Sequence, residues 1–208
     1  SHQLIYRKDR NFFKNDLEIS IKSLEDLIGK KVVSYRAPGF SLVNSTLWVF
    51  EELAAHGIEY DCSIFLGNHS HGERIHSFGA LPSLIDIEGI KVKEFPVNSF
   101  KFFKYEIPFS GGGYFRLLPY QMIKFMMNKY NYNMSYFHPR DFDYDQPVIE
   151  GLSYLRIFKS YYGLKWSYSK ALKMLSDFNF ETISGADKLI DWKKAQKFKL
   201  INGNLQHY

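Results

Sequence analysis

Three side chains able to do acid/base work each stand where an apolar run breaks into a loop. Met134-Ser135-Tyr136-Phe137 ends at His138 and is stopped by Pro139, Lys31 to Ser34 runs into Tyr35-Arg36-Ala37-Pro38, and Ile58-Glu59-Tyr60 runs into Asp61-Cys62-Ser63. Proline restricts the residue before it and cannot donate to a ladder, so His138 is expected where strand becomes loop, at the carboxyl edge of a sheet. In α/β folds that edge gathers the loops of several strands, and a parallel barrel would bring guanidinium, carboxylate and imidazole to one mouth. Such a set can handle protons: Asp61 would hold the His138 tautomer and keep it protonated, while Arg36 would orient another carboxylate. Each motif alone fits turn chemistry, a surface ion pair or a hydrogen-bonded histidine at a strand end. The chemical reading rests on the three together.

The elements that must position them alternate between helix and strand. Asp9 to Gly29 carries Leu17, Ile21, Leu24 and Leu27 or Ile28 at helical spacing, with Gly29 as a left-handed stop. Lys31 to Ser34 is a short strand, and the loop Tyr35 to Phe40 is broken by Pro38 and Gly39. Asn44 caps a helix through His56, ended by Gly57, and Ile58 to Tyr60 is a second strand. Leu84 to Ile87 and Ile90 to Phe95, joined by Glu88-Gly89, read as a hairpin. Gly111 to Arg116 is a glycine-rich loop before a helix from Pro119 to Lys129, followed by the strand Met134 to Phe137. Trp166 to Phe178 is a helix, Phe180 to Ile183 a strand, and Ser184 caps a last helix from Ala186 to Gln196; the tail through Tyr208 is weakly specified. The pattern predicts a single α/β domain over residues 1–208 with mainly parallel strands, as a sheet or barrel.

With 208 residues, 45% of them apolar and 18% aromatic, the chain is long and hydrophobic enough for a substantial core. Its 27 Lys and Arg against 22 Asp and Glu are scattered rather than gathered into the stripe that nucleic acid requires. One cysteine, Cys62, excludes an internal disulfide and a cysteine-rich zinc site. No stretch reaches the roughly 18 apolar residues of a membrane span. The chain opens on Ser1 rather than methionine, so its natural beginning, with any targeting segment, is expected upstream.

Taken in order, the three motifs resemble the polysaccharide deacetylase family, the NodB-homology group of carbohydrate esterases. That family runs an Asp-Asp motif, a His-x-x-x-His metal motif, Arg-x-Pro, Asp-x-Ser and a hydrophobic-x-His. Tyr35-Arg36-Ala37-Pro38-Gly39-Phe40 is similar to the third, Tyr60-Asp61-Cys62-Ser63-Ile64-Phe65 to the fourth and Tyr136-Phe137-His138-Pro139 to the fifth, while Ser1-His2-Gln3-Leu4-Ile5-Tyr6 looks like the tail of the second. Gly111-Gly112-Gly113-Tyr114-Phe115-Arg116-Leu117-Leu118-Pro119-Tyr120 resembles a segment of a subgroup found with exopolysaccharide loci.

The resemblance implies a distorted (β/α) barrel lacking its first strand or two, and metal-dependent removal of acetyl from an N-acetylated amino sugar. A divalent ion, zinc in most of the family, would be held by Asp and two His, of which only His2 falls in this chain. The Asp-Asp motif and the first metal histidine would lie upstream, so these 208 residues alone are expected to be inactive. By position, Arg36 would orient the base, Asp61 would partner His138, and His138 would be the acid. Pro38, Gly39, Ser63, Phe65, Gly113, Tyr114 and Arg116 fall on the substrate side, Phe65 near an aromatic wall of the acetyl pocket and Gly39 as a backbone oxyanion donor. The partner implied is a carbohydrate, with neither nucleic acid nor a membrane span, in the bacterial cytoplasm or at the inner-membrane periphery.

Some features depart from that pattern. Arg140-Asp141 stands where the subgroup has Trp-Glu, which bears on substrate contacts. Arg116 contacts an acidic sugar or pairs with a neighbouring carboxylate. His69, His71 and His76 read as surface residues or occasional substrate contacts rather than a zinc site, and the glycine run lacks the lysine of a phosphate loop. Two other readings remain: an amidohydrolase of the same fold acting on a small non-sugar amide, and a catalytically silent carbohydrate-binding relative.

Overall fold

The computed structural model describes residues 2–66, 75, 78–103 and 105–208. In chain order its elements are α1 (Arg10–Ile28), β1 (Ser34–Tyr35), α2 (Val49–Ala55), β2 (Tyr60–Asp61), β3 (Ser83–Ile87), β4 (Ile90–Glu94), β5 (Phe100–Phe102), β6 (Tyr105–Ile107), α3 (Gly112–Leu117), α4 (Tyr120–Met127), α5 (Tyr154–Tyr161), α6 (Leu164–Asp177), α7 (Ile183–Leu189), β7 (Gln196–Ile201) and β8 (Asn204–His207). The chain divides into two compact units, one of Ser1–Asn98 with Asp187–Tyr208, the other Ser99–Ala186.

The first unit is built on an open six-stranded sheet in the order β1-β2-β4-β3-β7-β8. β1, β2 and β4 run parallel, β3 returns antiparallel to β4, and β7 lies parallel to β3. The fold is mixed α/β, and the described residues form no closed barrel. The hairpin at Glu88-Gly89 forms because both residues take positive φ, 51° and 92°, as a tight primed turn demands. Phe50, Leu53, Ile85, Val92 and Phe198, all at most 1% exposed, anchor the core. α1 starts at Asp9, whose carboxylate accepts from the Phe12 N–H at 2.8 Å, and ends at left-handed Gly29. Phe13 and Leu17 are buried, whereas Leu24, Leu27 and Ile28 of the same predicted face are exposed.

The second unit packs Phe109, Phe115, Ile123, Met126, Met127 and Met174 into its own core, from α3, α4, α6 and the segments beside them. β5 and β6 form a separate two-stranded hairpin.

Several expected elements differ. The strand at Met134 to Phe137 does not form; only Tyr136 makes a bridge, to Gly111. Ser110 Oγ donates to the Met134 carbonyl at 2.7 Å in place of a ladder bond, and just before the segment Asn133 Nδ2 donates to the carbonyls of Met127 and Tyr130 at the end of α4 and the turn after it. The glycine run is not all loop, since α3 begins at Gly112. The helix expected from Asn44 is a short 3-10 turn, Asn44–Thr46, followed by α2. Phe180 to Thr182 is not strand, and Ile183 already belongs to α7, which stops at Leu189 instead of reaching Gln196. The tail is a hairpin: Phe198 and Leu200 alternate into the core, and Asn202-Gly203 turns it with φ of 50° and 73°.

Candidate active site

The loops after β1 and β2 interlock. The Ala37 N–H donates to Ser63 Oγ at 2.8 Å, Ser63 Oγ donates to Asp61 Oδ1 at 2.6 Å, and the Ser63 N–H donates to Asp61 Oδ2 at 3.1 Å. Arg36 Nε donates to the Cys62 carbonyl at 3.2 Å. Gly39 and Phe40 both take positive φ, 61° and 52°, a turn that sets the Phe40 ring 4.9 Å from Phe65 and 5.6 Å from the Arg36 guanidinium. Arg-x-Pro and Asp-x-Ser are thus one clasp. Parallel neighbouring strands deliver both loops to the same edge, with Tyr35 opposite Asp61 in register. Pro38 lies on this rim with Arg36, and the Ser63 hydroxyl is committed to Asp61 and Ala37. His2 is exposed and shares with Asp16, Tyr35, Arg36 and Pro38 a cavity of about 230 Å³.

Below the clasp lies a feature that motif reading passed over. Asp61 is paired in register with Glu94 of β4, and both side chains are fully buried and within hydrogen-bonding reach of each other. Glu94 Oε1 accepts from the Ile64 N–H at 3.1 Å. Burial, and then the charge of Asp61, push the Glu94 carboxyl well above the usual range; burial raises Asp61 too, against the lowering pull of Glu94 and Ser63. Cys62 between the two loops is pushed up to about 12 by burial and by Asp61, and Tyr35 is raised by burial first. The sequence hint was the polar residue in Val92-Lys93-Glu94-Phe95: with Lys93 on one face of β4, Glu94 had to share the other with buried Val92.

His138, in the second unit, ends no ladder strand. It precedes a 3-10 turn, Pro139–Asp141, and its ring is largely exposed. Its N–H donates to Asp141 Oδ2 at 2.9 Å, and its ring Nδ1 lies 3.7 Å from the same oxygen. Asp141 Oδ1 sits 3.2 Å from Arg116 Nε, whose other nitrogens donate to the carbonyls of Lys159 and Ser160. Of the two roles open to Arg116, the structure shows the ion pair with a neighbouring carboxylate. Burial lowers the Arg116 guanidinium and Asp141 opposes that shift.

Gly113 is inside α3 and Tyr114 beside it is 40% exposed. Gly111 is required by packing, since a Cβ there would meet the Tyr136 carbonyl at 2.0 Å. Lys170 caps the end of α3, donating to the carbonyls of Phe115, Arg116 and Leu118. The histidines at 69, 71 and 76 lie outside the described residues. Among the described residues no three His, Cys, Asp or Glu side chains come together as a metal site, so His2 has no companion ligands there. The structure therefore brings together Arg36, Pro38, Gly39, Asp61, Ser63 and Phe65 in the first unit, and His138 and Arg116, through Asp141, in the second.

Residues 62–188, more than half of the chain, match the profile of a family described as Domain of unknown function (DUF3473), which occurs in polysaccharide deacetylase-like proteins. No curated protein sequence matches the chain. A crystal structure from Mycobacterium smegmatis, provisionally described as a polysaccharide deacetylase, is similar over 50% of this chain and 33% of its own, at 20% identity and a TM-score of 0.36. The chain thus spans about a third of the length of that structure. No helix among the described residues is long and apolar enough to cross a membrane.

Proposed function

From the premise that this chain belongs to the DUF3473 family, which is found in polysaccharide deacetylase-like proteins, we propose that it works in the hydrolytic removal of acetyl from an N-acetylated amino sugar of a surface polysaccharide. The observation that supports this most is the clasp: the two motifs that prompted the resemblance, around Arg36 and around Asp61, are joined through Ser63 at the ends of adjacent parallel strands. Two unrelated turns would have no reason to share a buried serine.

In this reading Arg36 orients the base, and Asp61 is the buried carboxylate of the set. His138 gives a proton to the departing amine, which the exposed ring allows because substrate can reach it. Phe40 and Phe65 form the aromatic wall against the acetyl methyl, with the Gly39 backbone beside them. A distorted barrel, with a further strand beside β1, is the architecture we propose for the complete enzyme. A divalent ion, zinc in our proposal, would polarise the acetyl carbonyl and lower the pKa of a bound water. The described residues do not by themselves fit such an ion, since a catalytic site needs about three protein ligands and only His2 is put forward.

The test is acetate release from N-acetylglucosamine oligomers with added zinc, comparing this chain with a form extended upstream. Release by the extended form is the expected result. Release only from a small non-sugar amide would replace the substrate, and oligomer binding without any release would make the protein a carbohydrate-binding relative.

A further inference from the structure

The buried pair Asp61 and Glu94 has one oxygen without an assigned partner. Asp61 takes two hydrogen bonds from Ser63, and Glu94 Oε1 takes one from Ile64, while Glu94 Oε2 is buried with no donor on it. Two carboxylates in register, both fully buried, are not both ionised, because each charge loses its hydration and repels the other. One proton between them removes both costs. Its place follows from the donors: Asp61 is already accepting at both oxygens, so the hydrogen belongs on Glu94 Oε2, directed at Asp61.

We propose that Glu94 is the proton-bearing half of a carboxyl–carboxylate pair with Asp61, and that it is a positioning residue, fixing the Asp61 carboxylate beneath the Arg36 and Ser63 clasp. The other groups facing the pair are Tyr35 from β1, with Asp16 of α1 against it, Cys62 after β2 with Arg36 against it, and the buried Ser83 hydroxyl from β3. The direction of the Glu94 shift agrees with this arrangement. The use of Asp61 in deacetylation rests on the proposed function.

Two measurements test the proton itself. Infrared spectra near neutral pH should show a protonated carboxylic acid band that Glu94→Gln removes; its absence from the unmodified protein overturns the proposal without needing any variant to fold. A group whose folded pKa is raised binds its proton more tightly in the native state, so stability falls as pH rises from the unfolded carboxyl value, roughly 4.3, through the folded one. Glu94→Gln, a neutral isostere, should flatten that fall in a series of unfolding midpoints against pH, and a profile parallel to the unmodified protein overturns the assignment. In the extended form, Glu94→Gln should keep turnover while Glu94→Ala lowers it on the order of 10²-fold with KM little changed, as for a misplaced catalytic group. Equal loss in both variants would deny the positioning role. Acetate release absent from the unmodified extended form would fault the functional reading and leave the two proton measurements to decide the pair.

Discussion

His138 and Asp141 are joined through the backbone: the His138 N–H donates to Asp141 Oδ2 at 2.9 Å, while the ring Nδ1 stands 3.7 Å from the same atom. The other Asp141 oxygen faces Arg116, which in turn holds the last carbonyls of α5. The His138 amide, the Asp141 carboxylate, the Arg116 guanidinium and the helix end form one chain. Asp141 therefore has a structural task beside the histidine.

Asp141→Ala should destabilise the protein by roughly 3–5 kcal/mol, because it strands the guanidinium of Arg116, only 8% exposed, without its counter-charge. Asp141→Asn should cost less, since the amide oxygen still accepts from the His138 N–H. Urea unfolding of the two variants checks the order. A cost below about 1 kcal/mol for the alanine would mean that the pair behaves as a surface ion pair.

Cys62 should be inert to an aromatic disulfide reagent in the folded protein. Burial first, and the Asp61 charge second, hold its thiol up to about 12, so almost no thiolate exists at mildly alkaline pH. Because that value exceeds the unfolded one, roughly 8.5, the folded state keeps the proton longer and stability is lost as pH rises from about 9 toward 12. Cys62→Ala should show a shallower loss over that window in thermal unfolding. Rapid labelling of the folded chain without denaturant would contradict the burial.

The sequence reading succeeded where a local rule carried the whole decision. Asp9 and Gly29 bounded α1, and Glu88-Gly89 turned β3 into β4. It failed where tertiary partners decided. Met134 to Phe137 has strand composition, but the Ser110 hydroxyl takes the Met134 carbonyl that a neighbouring strand would have taken. Where a weakly specified tail is expected, the chain does carry the signal of the β7–β8 hairpin: Phe198 and Leu200 alternate, and Asn202-Gly203 is a strong primed-turn pair. Of the site, the Arg36 and Asp61 loops could be read from their order. Asp141 could not, because an acid that pairs with a nearby guanidinium carries no mark of its own in the chain, and for Glu94 the strand alternation marks the buried face but not the partner on β2.

Gly111→Ala should be far more damaging than Gly203→Ala. At position 111 the new Cβ would lie 2.0 Å from the Tyr136 carbonyl, so the bridge between Gly111 and Tyr136 must open. At position 203 there is open space, and the cost is that of a left-handed φ of 73°, about 1 kcal/mol. Thermal unfolding of both variants provides the comparison, and equal shifts would show that the Tyr136 contact does not constrain the second unit.

His138→Ala, made in a form that releases acetate, should lower turnover by roughly 10²- to 10⁴-fold, the usual worth of a general acid. Its effect on folding should be small: the ring is 62% exposed and the N–H that binds Asp141 belongs to the backbone, which alanine retains. That separation lets the variant report on chemistry rather than on structure. His138→Gln should be no better than alanine, since an amide reproduces a hydrogen bond but cannot deliver a proton to the leaving amine. An amine product whose leaving group needs less protonation should suffer less from either change, so the loss should shrink for activated anilide substrates. Turnover unchanged in both variants would remove His138 from the mechanism, and an equal loss on activated and unactivated substrates would assign it to binding instead of proton transfer.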